Sequence, residues 1–376
     1  MTHSNDSLQS ISIQSLFQPF VSDKLTLNNR IVMAPMTRSF SPGGVPGANV
    51  AAYYRRRAEH GVGLIITEGT VINHPAATND PNVPEFHGEE ALKGWARVVK
   101  EVHDAGGKII PQIWHVGLTW KPGDHPNPDI LPVSPSGLDL NGNKVSEPLS
   151  ETEIAELVQA YAQAAADAKR IGFDGVEIHG AHGYLIDQFF WENTNQRTDR
   201  YGGDMVARTT FAVEVIEAIR EAVGPDFPIV LRYSQWKTTL YTAKLAETPE
   251  KLGEFLAPLA AAGVDIFHCS TRRFWEPEFE GSDLNLAGWT KKLTGKPAIT
   301  VGSIGLNNEF TSFFSEGKGA EATSIDHLTA RLERGEFDLV AVGRALLVDP
   351  AWAEKIREGR SDEMEPFTAD ALRTLE

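Results

Sequence analysis

The chain has 376 residues, of which 41% are hydrophobic and 23% charged, a balance that suits a large buried core and excludes a disordered chain. Its 35 basic and 51 acidic residues leave a formal charge of -16, which repels phosphate backbones and anionic membrane surfaces and argues against nucleic acid and lipid as partners. The single Cys269 excludes an internal disulfide and any four-cysteine metal or iron–sulfur site, and fits a reducing compartment.

The first ten residues, MTHSNDSLQS, carry neither a basic stretch nor an apolar run, and no later apolar run approaches membrane-spanning length. A soluble, cytoplasmic protein is expected. Residues 16 to 30, with Val21-Ser22-Asp23-Lys24-Leu25 between apolar flanks, read as a hairpin. Strands follow at Arg30 to Pro35 and Leu64 to Glu68, then a helix from Glu89 to Ala105 and a strand from Lys108 to Trp114. The Pro-, Gly- and Asn-rich excursion from Leu118 to Ser150 carries the hairpin signal Asn141-Gly142 and reads as a lid or wall rather than a domain boundary. Ser150-Glu151-Thr152-Glu153 forms a capping box ahead of an Ala-rich amphipathic helix that ends near Gly172. The remaining strands are Gly175 to His179, Ile229 to Arg232, Asp265 to Cys269, Ala298 to Val301 and Leu339 to Gly343, with helices at Ala207 to Val223, Pro249 to Ala262 and Ser324 to Arg334.

Strands alternating with helices imply a parallel sheet, and eight of them suggest closure into a (β/α)8 TIM barrel formed as one domain over residues 1 to 376, with the hairpin plugging its lower end. Continuous apolar runs such as I-I-T-E and D-L-V-A-V suit a sheet buried on both faces. An open doubly wound sheet competes, but the turn after the first strand reads M-A-P-M-T-R and lacks its glycine fingerprint.

Chemistry in such a barrel sits at the C-terminal strand ends. Here these ends carry Pro35-Met36-Thr37-Arg38, Glu68-Gly69-Thr70, Gln112-Ile113-Trp114-His115, His179 to Tyr184, Arg232-Tyr233-Ser234, Cys269 to Trp275, Gly302-Ser303-Ile304-Gly305 and Gly343-Arg344. Glycines after the last two strands, joined by Arg344, have the form of a phosphate site built from backbone N–H groups and a guanidinium. With Thr37, Gln112 and Arg232 around the mouth, flavin mononucleotide fits: Gln112 offers a donor and an acceptor, and Arg232 stabilises negative charge on a reduced ring. Taken alone, a strand-end Gln is equally a solvated amide and a strand-end Arg a salt-bridge partner. His179 and His182 also invite a metal reading with Glu177, as in a barrel hydrolase or lyase, although zinc pairs of this kind normally sit on a helix.

The motifs A-P-M-T-R at 34 to 38, I-I-T-E-G at 65 to 69, P-Q-I-W-H at 111 to 115, G-V-E-I-H-G-A-H-G-Y-L-I-D-Q-F at 175 to 189, R-T-D-R-Y-G-G at 197 to 203 and V-G-R at 342 to 344 resemble the old yellow enzyme family of FMN-dependent alkene reductases, from about Leu16 to Asp349. The resemblance implies that Thr37 bonds the flavin C4 carbonyl, that Pro35, Met36, Gly69, Gln112 and Arg232 contact the ring system, and that Gly302, Ser303, Gly343 and Arg344 hold the phosphate. It makes His179 and His182 the holders of the substrate oxygen and Tyr184 the proton donor, with NAD(P)H as reductant and a small activated alkene as partner. Trp114, Phe274 and Trp275 are expected in the substrate pocket from their positions. Where relatives carry Asn at position 182 this chain has a second histidine, which preserves two donors; where others carry Cys at 37 it has Thr. The tail F-T-A-D-A-L-R-T-L-E lacks the tyrosine found in yeast-like members, and the loop over 305 to 323 is long. A flavin-binding protein without turnover would satisfy much of this pattern as well.

Overall fold

A computed structural model describes residues 13–376 apart from 310, 311, 313–316 and 318, so the N-terminal stretch over 1–10 and part of the 305–323 loop lie outside the described residues. Two short strands, β1 (Phe20–Val21) and β2 (Thr26–Leu27), pair antiparallel with Phe20 opposite Leu27. Eight further strands form a closed barrel: β3 (Ile31–Met33), β4 (Leu64–Val71), β5 (Ile109–Trp114), β6 (Val176–His182), β7 (Ile229–Lys237), β8 (Ile266–Ser270), β9 (Ala298–Val301) and β10 (Leu339–Val342). All pairs are parallel, and β10 closes the ring on β3 through Val340 opposite Ile31. Every residue of β4, β5, β8, β9 and β10 is buried, which explains why these strands read as continuous apolar runs.

Inside the barrel, Val32, Leu64, Ile110, Val230, Ile266 and Leu339 form one apolar cluster together with Phe20, Leu25 and Leu27 of the hairpin. The hairpin therefore closes the lower end, where Lys24 Nζ also pairs with Asp265 Oδ1 at 2.7 Å just ahead of β8. A second, larger cluster joins the outward face of the strands, as at Ile65 of β4, to the inward faces of the surrounding helices, with Val98, Leu157 and Ile216.

The helices follow the sequence signals closely where caps are explicit. Glu151–Ile171 starts with the reciprocal Ser150–Glu153 capping box and stops at Gly172, whose φ of 102° suits glycine. Glu89–Asp104 and Pro249–Ala262 match within a residue. The helix expected from Ala207 starts instead at Thr210, after a separate turn at Met205–Arg208 that Asp204 caps through Ala207 N–H; the Thr209 hydroxyl turns back to the Val206 carbonyl at 2.6 Å and marks the break. The helix expected over Ser324 to Arg334 narrows to Asp326–Glu333.

Three strands run at least three residues past their expected ends, β4 from Glu68 to Val71 among them. β6 continues from His179 to His182 and β7 from Arg232 to Lys237, with a register shift between Gly180 and His182. A second shift separates Ile66 from Gly69 in the β4–β5 pairing. Irregularities of this kind re-aim side chains; the first falls at the C-terminal end of β6 and the second in the middle of β4. In the excursion after β5, Asp139 and Asn143 close a turn around Gly142, as the Asn141-Gly142 signal predicts. Its Trp120, Ile130 and Val133 pack in a cluster with Trp114 and Tyr184, so the excursion backs a wall of the upper end.

Candidate active site

A cavity of about 380 Å³ opens at the C-terminal end of the barrel. Nine of the ten residues expected around a cofactor line it: Pro35, Met36 and Thr37 from the turn after β3, Gln112 and Arg232 from β5 and β7, and Gly302, Ser303, Gly343 and Arg344 beyond β9 and β10. The tenth, Gly69, does not. A Cβ there would stand 2.4 Å from the Trp114 ring, so Gly69 makes room for that ring instead.

His179, His182 and Tyr184 line the cavity together with Trp114. The His179 ring stands edge-on to Tyr184 at 5.0 Å and to His182 at 5.2 Å between centroids, while Trp114 stacks on His179 at 5.8 Å. Ala181 N–H donates to His179 Nδ1 at 3.3 Å, which leaves Nε2 as the protonated nitrogen. Arg232 Nη2 donates to Ser270 Oγ at 3.4 Å, and the Ser270 hydroxyl pairs with His182 Nε2 at 2.7 Å; with the serine proton turned to Nε2, His182 carries its own proton on Nδ1. Burial first, and the Arg232 guanidinium second, hold both imidazoles well below the usual histidine range, so both are neutral donors near pH 7. Burial likewise raises Tyr184 and keeps its phenol protonated.

The turn that presents these groups is held from behind. His182 has φ of 66° and Gly183 81°, a left-handed pair that a non-glycine residue adopts only under constraint. Asp187 Oδ2 accepts Gly183 N–H at 2.7 Å, and Lys237 Nζ bonds both Asp187 oxygens at 2.7 and 2.8 Å, with both side chains fully buried. His182 N–H is taken by Ser234 Oγ at 2.9 Å. Among the described residues, the three non-glycine positions with positive φ are Ser39, His182 and Ser303, and all three lie on or beside the cavity wall.

The turn after β3 is fixed in the same way. Glu68 Oε2 accepts the N–H groups of Arg38 at 2.9 Å and Ser39 at 3.3 Å, and Ser39 Oγ donates to Asp80 at 2.7 Å. Burial pushes the Glu68 carboxyl up to about 7, against the pull of those N–H groups and the Arg38 guanidinium. The folded state therefore keeps a proton that the unfolded carboxyl loses from about 4.5 upwards, and Glu68 subtracts stability as pH rises from there to about 7. Glu68→Gln is expected to remove that loss, on the order of 3 kcal/mol, so the variant's melting temperature should gain on wild type between about pH 5 and about pH 8. A constant offset across that range would contradict the assignment.

Glu177 is occupied inside the barrel. It accepts Gln112 Nε2 at 2.9 Å on one oxygen and bonds His268 Nδ1 at 2.8 Å with the other, both below the cavity floor. This orients the Gln112 amide and takes the carboxylate away from the His179–His182 pair that the metal reading required. No group of three or more His, Cys, Asp or Glu side chains suited to a metal ion occurs among the described residues.

Two guanidinium atoms on the cavity wall, Arg232 Nε and Arg344 Nη1, are buried without a hydrogen-bond partner among the described residues. Burial lowers Arg344 to about 10. Such atoms call for an acceptor, and a phosphate and the carbonyl edge of a planar ring supply one each. Gly302, with φ of 136°, could not carry a Cβ, which would meet the Thr271 carbonyl oxygen at 2.7 Å. The residues present thus fit FMN.

A sequence profile described as the NADH:flavin oxidoreductase / NADH oxidase family matches residues 15–363. The chain belongs to the old yellow enzyme family. It is 36% identical over 351 residues to an NADH oxidase of Thermoanaerobacter brockii, covering 90% of this chain and 50% of that protein, so it spans about half the length of this relative. Among solved structures, morphinone reductase in complex with tetrahydroNAD superposes with a TM-score of 0.79 at 30% identity over 95% of this chain and 93% of the other. An old yellow enzyme from Pichia sp. AKU4542 gives 0.78 at 25% identity over 95% and 90%. As in the family generally, the cofactor is FMN.

The substrate-pocket expectation needs correction for two aromatics. Phe274 is buried in the outer core, where its carbonyl accepts Asn285 Nδ2 and Arg331 Nη1, and Trp275 packs edge-on against it at 5.2 Å; neither lines the cavity. The wall is supplied instead by Trp236, Thr238, Tyr241 and Arg272, with Phe367 and Leu372 from the C-terminal segment. Trp236 had a readable signal: Arg232, Ser234 and Trp236 alternate with period two along the continuation of β7. Phe367 had none, since nothing local says that the chain returns to the mouth. Among the described residues no helix is long and apolar enough to cross a membrane.

Proposed function

We propose that the chain is an FMN-dependent NAD(P)H oxidoreductase that reduces the activated C=C bond of α,β-unsaturated carbonyl or nitro compounds in the cytoplasm. The observation that carries this reading is the grouping of two neutral imidazole donors and one protonated phenol on a single wall of the cavity that also holds unpaired guanidinium nitrogens. Thr37, Gln112 and Arg232 would hold the flavin ring, and Gly302, Ser303, Gly343 and Arg344 its phosphate. FMN, when bound, would supply the hydride-transfer chemistry between NAD(P)H and the β-carbon of the alkene that side chains lack.

The side chains do the rest. His179 Nε2–H and His182 Nδ1–H are free to grip the activating oxygen, where negative charge grows as the hydride arrives. Because both rings are neutral, they donate hydrogen bonds without surrendering a proton to that oxygen. Tyr184, edge-on to His179, gives its proton to the α-carbon, so that hydride and proton together saturate the bond. Trp114, stacked on His179 and edge-on to Tyr184 at 4.9 Å, keeps water from that face.

The purified protein is expected to show the visible absorption of bound flavin, to bleach anaerobically with NADH or NADPH, and to recover on addition of an enone. Absence of flavin after reconstitution with FMN would overturn the cofactor assignment. Bleaching without recovery by any activated alkene would leave a flavin-binding protein without this turnover.

A further inference from the structure

One wall of the cavity is a ladder of stacked side chains that the reaction above leaves unexplained. Trp236 stacks on His182 at 4.4 Å and 26°, Tyr241 packs against Trp236 at 5.7 Å, and the Arg272 guanidinium lies over the Tyr241 ring at 5.3 Å. All four residues line the same cavity. The ladder leads from the oxygen-holding histidine to a cation at its outer end.

Charge makes that cation informative. Among the described residues lining the cavity there are three arginines, Arg232, Arg272 and Arg344, and no carboxylate, in a chain whose net charge is -16. Arg232 and Arg344 serve the flavin ring and its phosphate; Arg272 is surplus to both. Its backbone is fixed near the phosphate end, where its carbonyl accepts Ser303 Oγ at 2.9 Å, but its side chain turns away to Tyr241. Glu309 stands 3.8 Å from Arg272 and 3.6 Å from Arg273, and Arg273 also pairs with Glu276 at 2.9 Å; at 3.8 Å the Glu309 contact is too long to be a hydrogen bond to the Arg272 guanidinium. Positive charge remains on a side chain that is 25% exposed. Stacking on an aromatic face leaves the guanidinium edge, with its planar fork of N–H donors, directed outward.

We propose that Arg272, braced by Tyr241, is an anion-recognition subsite at the cavity mouth, selecting reactants that carry a phosphate or carboxylate group remote from the reacting carbon. This rests on the flavin oxidoreductase reading. Two sources share the chemistry: the phosphates of the nicotinamide nucleotide, and the carboxylate of an unsaturated acid whose enone end reaches His179 and His182. In either case the anion lies beyond Trp236 and Tyr241, and the rings of the ladder cover the apolar body of the ligand between its two polar ends.

The test uses the FMN-loaded full chain with Arg272→Ala and Arg272→Lys. Rapid mixing gives dissociation constants for NADH and NADPH from flavin bleaching, and for a carboxylate-bearing enone and its methyl ester from flavin recovery; fluorescence quenching gives FMN affinity separately. Arg272→Ala is expected to weaken an anionic reactant about tenfold, with limiting rates changing less than dissociation constants, the ester unaffected, and the wild-type advantage shrinking as salt is raised. Arg272→Lys should recover only part of the loss, because a lysine cannot stack as a planar fork. A loss confined to the nucleotides assigns the subsite to the reductant, and one confined to the acid assigns it to the substrate. Equal behaviour of acid and ester with no change for either nucleotide overturns the proposal, as does weaker FMN binding with unchanged reactants. Wild-type protein that neither bleaches nor recovers defeats the parent reading instead.

Discussion

Tyr184→Phe is expected to leave bleaching of the flavin by NAD(P)H at its wild-type rate while slowing recovery by an enone by about two to four orders of magnitude, the range for loss of a positioned general acid. The two half-reactions separate the role cleanly, because in the proposed function the phenol would enter only the step that needs a proton. Tyr184 keeps its ring contacts with Trp114 and His179 when the oxygen is removed, so the variant should fold and bind FMN normally. Since burial raises the phenol above its usual 10.0, wild-type recovery should also hold steady as pH is raised to 10. Recovery that is as fast in Tyr184→Phe as in wild type would remove the tyrosine from the reaction and point to a solvent proton.

Lys237→Met is expected to cost about 3–5 kcal/mol of stability, read as a lower urea midpoint, because it strands the Asp187 carboxylate where no water reaches. Lys237 and Asp187 are both fully buried, and burial alone raises the carboxyl and lowers the ammonium; only their contact keeps the charged forms. The pair also supports function, since Asp187 holds Gly183 N–H and Thr238, next to Lys237, donates to the His182 carbonyl. Lys237→Met combined with Asp187→Asn should regain part of the loss by removing the stranded charge. If the single variant loses less than about 1 kcal/mol, water reaches the site and the pair is not the anchor of the His182 turn.

The sequence places all eight barrel strands because each is buried on both faces and so consists of apolar residues that need no partner to be recognised. It understates β6 and β7, whose last residues, Gly180-Ala181-His182 and Ser234 to Lys237, are held extended by each other and by the distant Asp187. Polar strand ends of this kind look like loops until the partner is known. Most of the site was legible for the converse reason: in a barrel, the residue following an apolar run has a known destination. That rule sends Thr37, Gln112, His179, Arg232 and Arg344 to the barrel mouth, and all five line the cavity there. It failed for Gly69, which yields space to Trp114, and for Phe274 and Trp275, since an aromatic residue after a strand can turn inward or outward and here the Asn285 and Arg331 contacts draw the chain outward. Tyr241, Arg272 and Phe367 reach the cavity from loops and from the C-terminal segment, and their approach depends on contacts that local pattern does not encode.

The hairpin under the barrel has a consequence for timing. With Phe20, Leu25 and Leu27 packed into the apolar interior from below, the hairpin fills that end of the barrel among the described residues, and a reactant would enter and leave by the upper mouth. The spent nucleotide and the incoming alkene would stand on the same His182 face of that passage. Under the proposed function they could not overlap, so the electrons would wait on the cofactor between visitors, and an excess of either reactant should queue against the other.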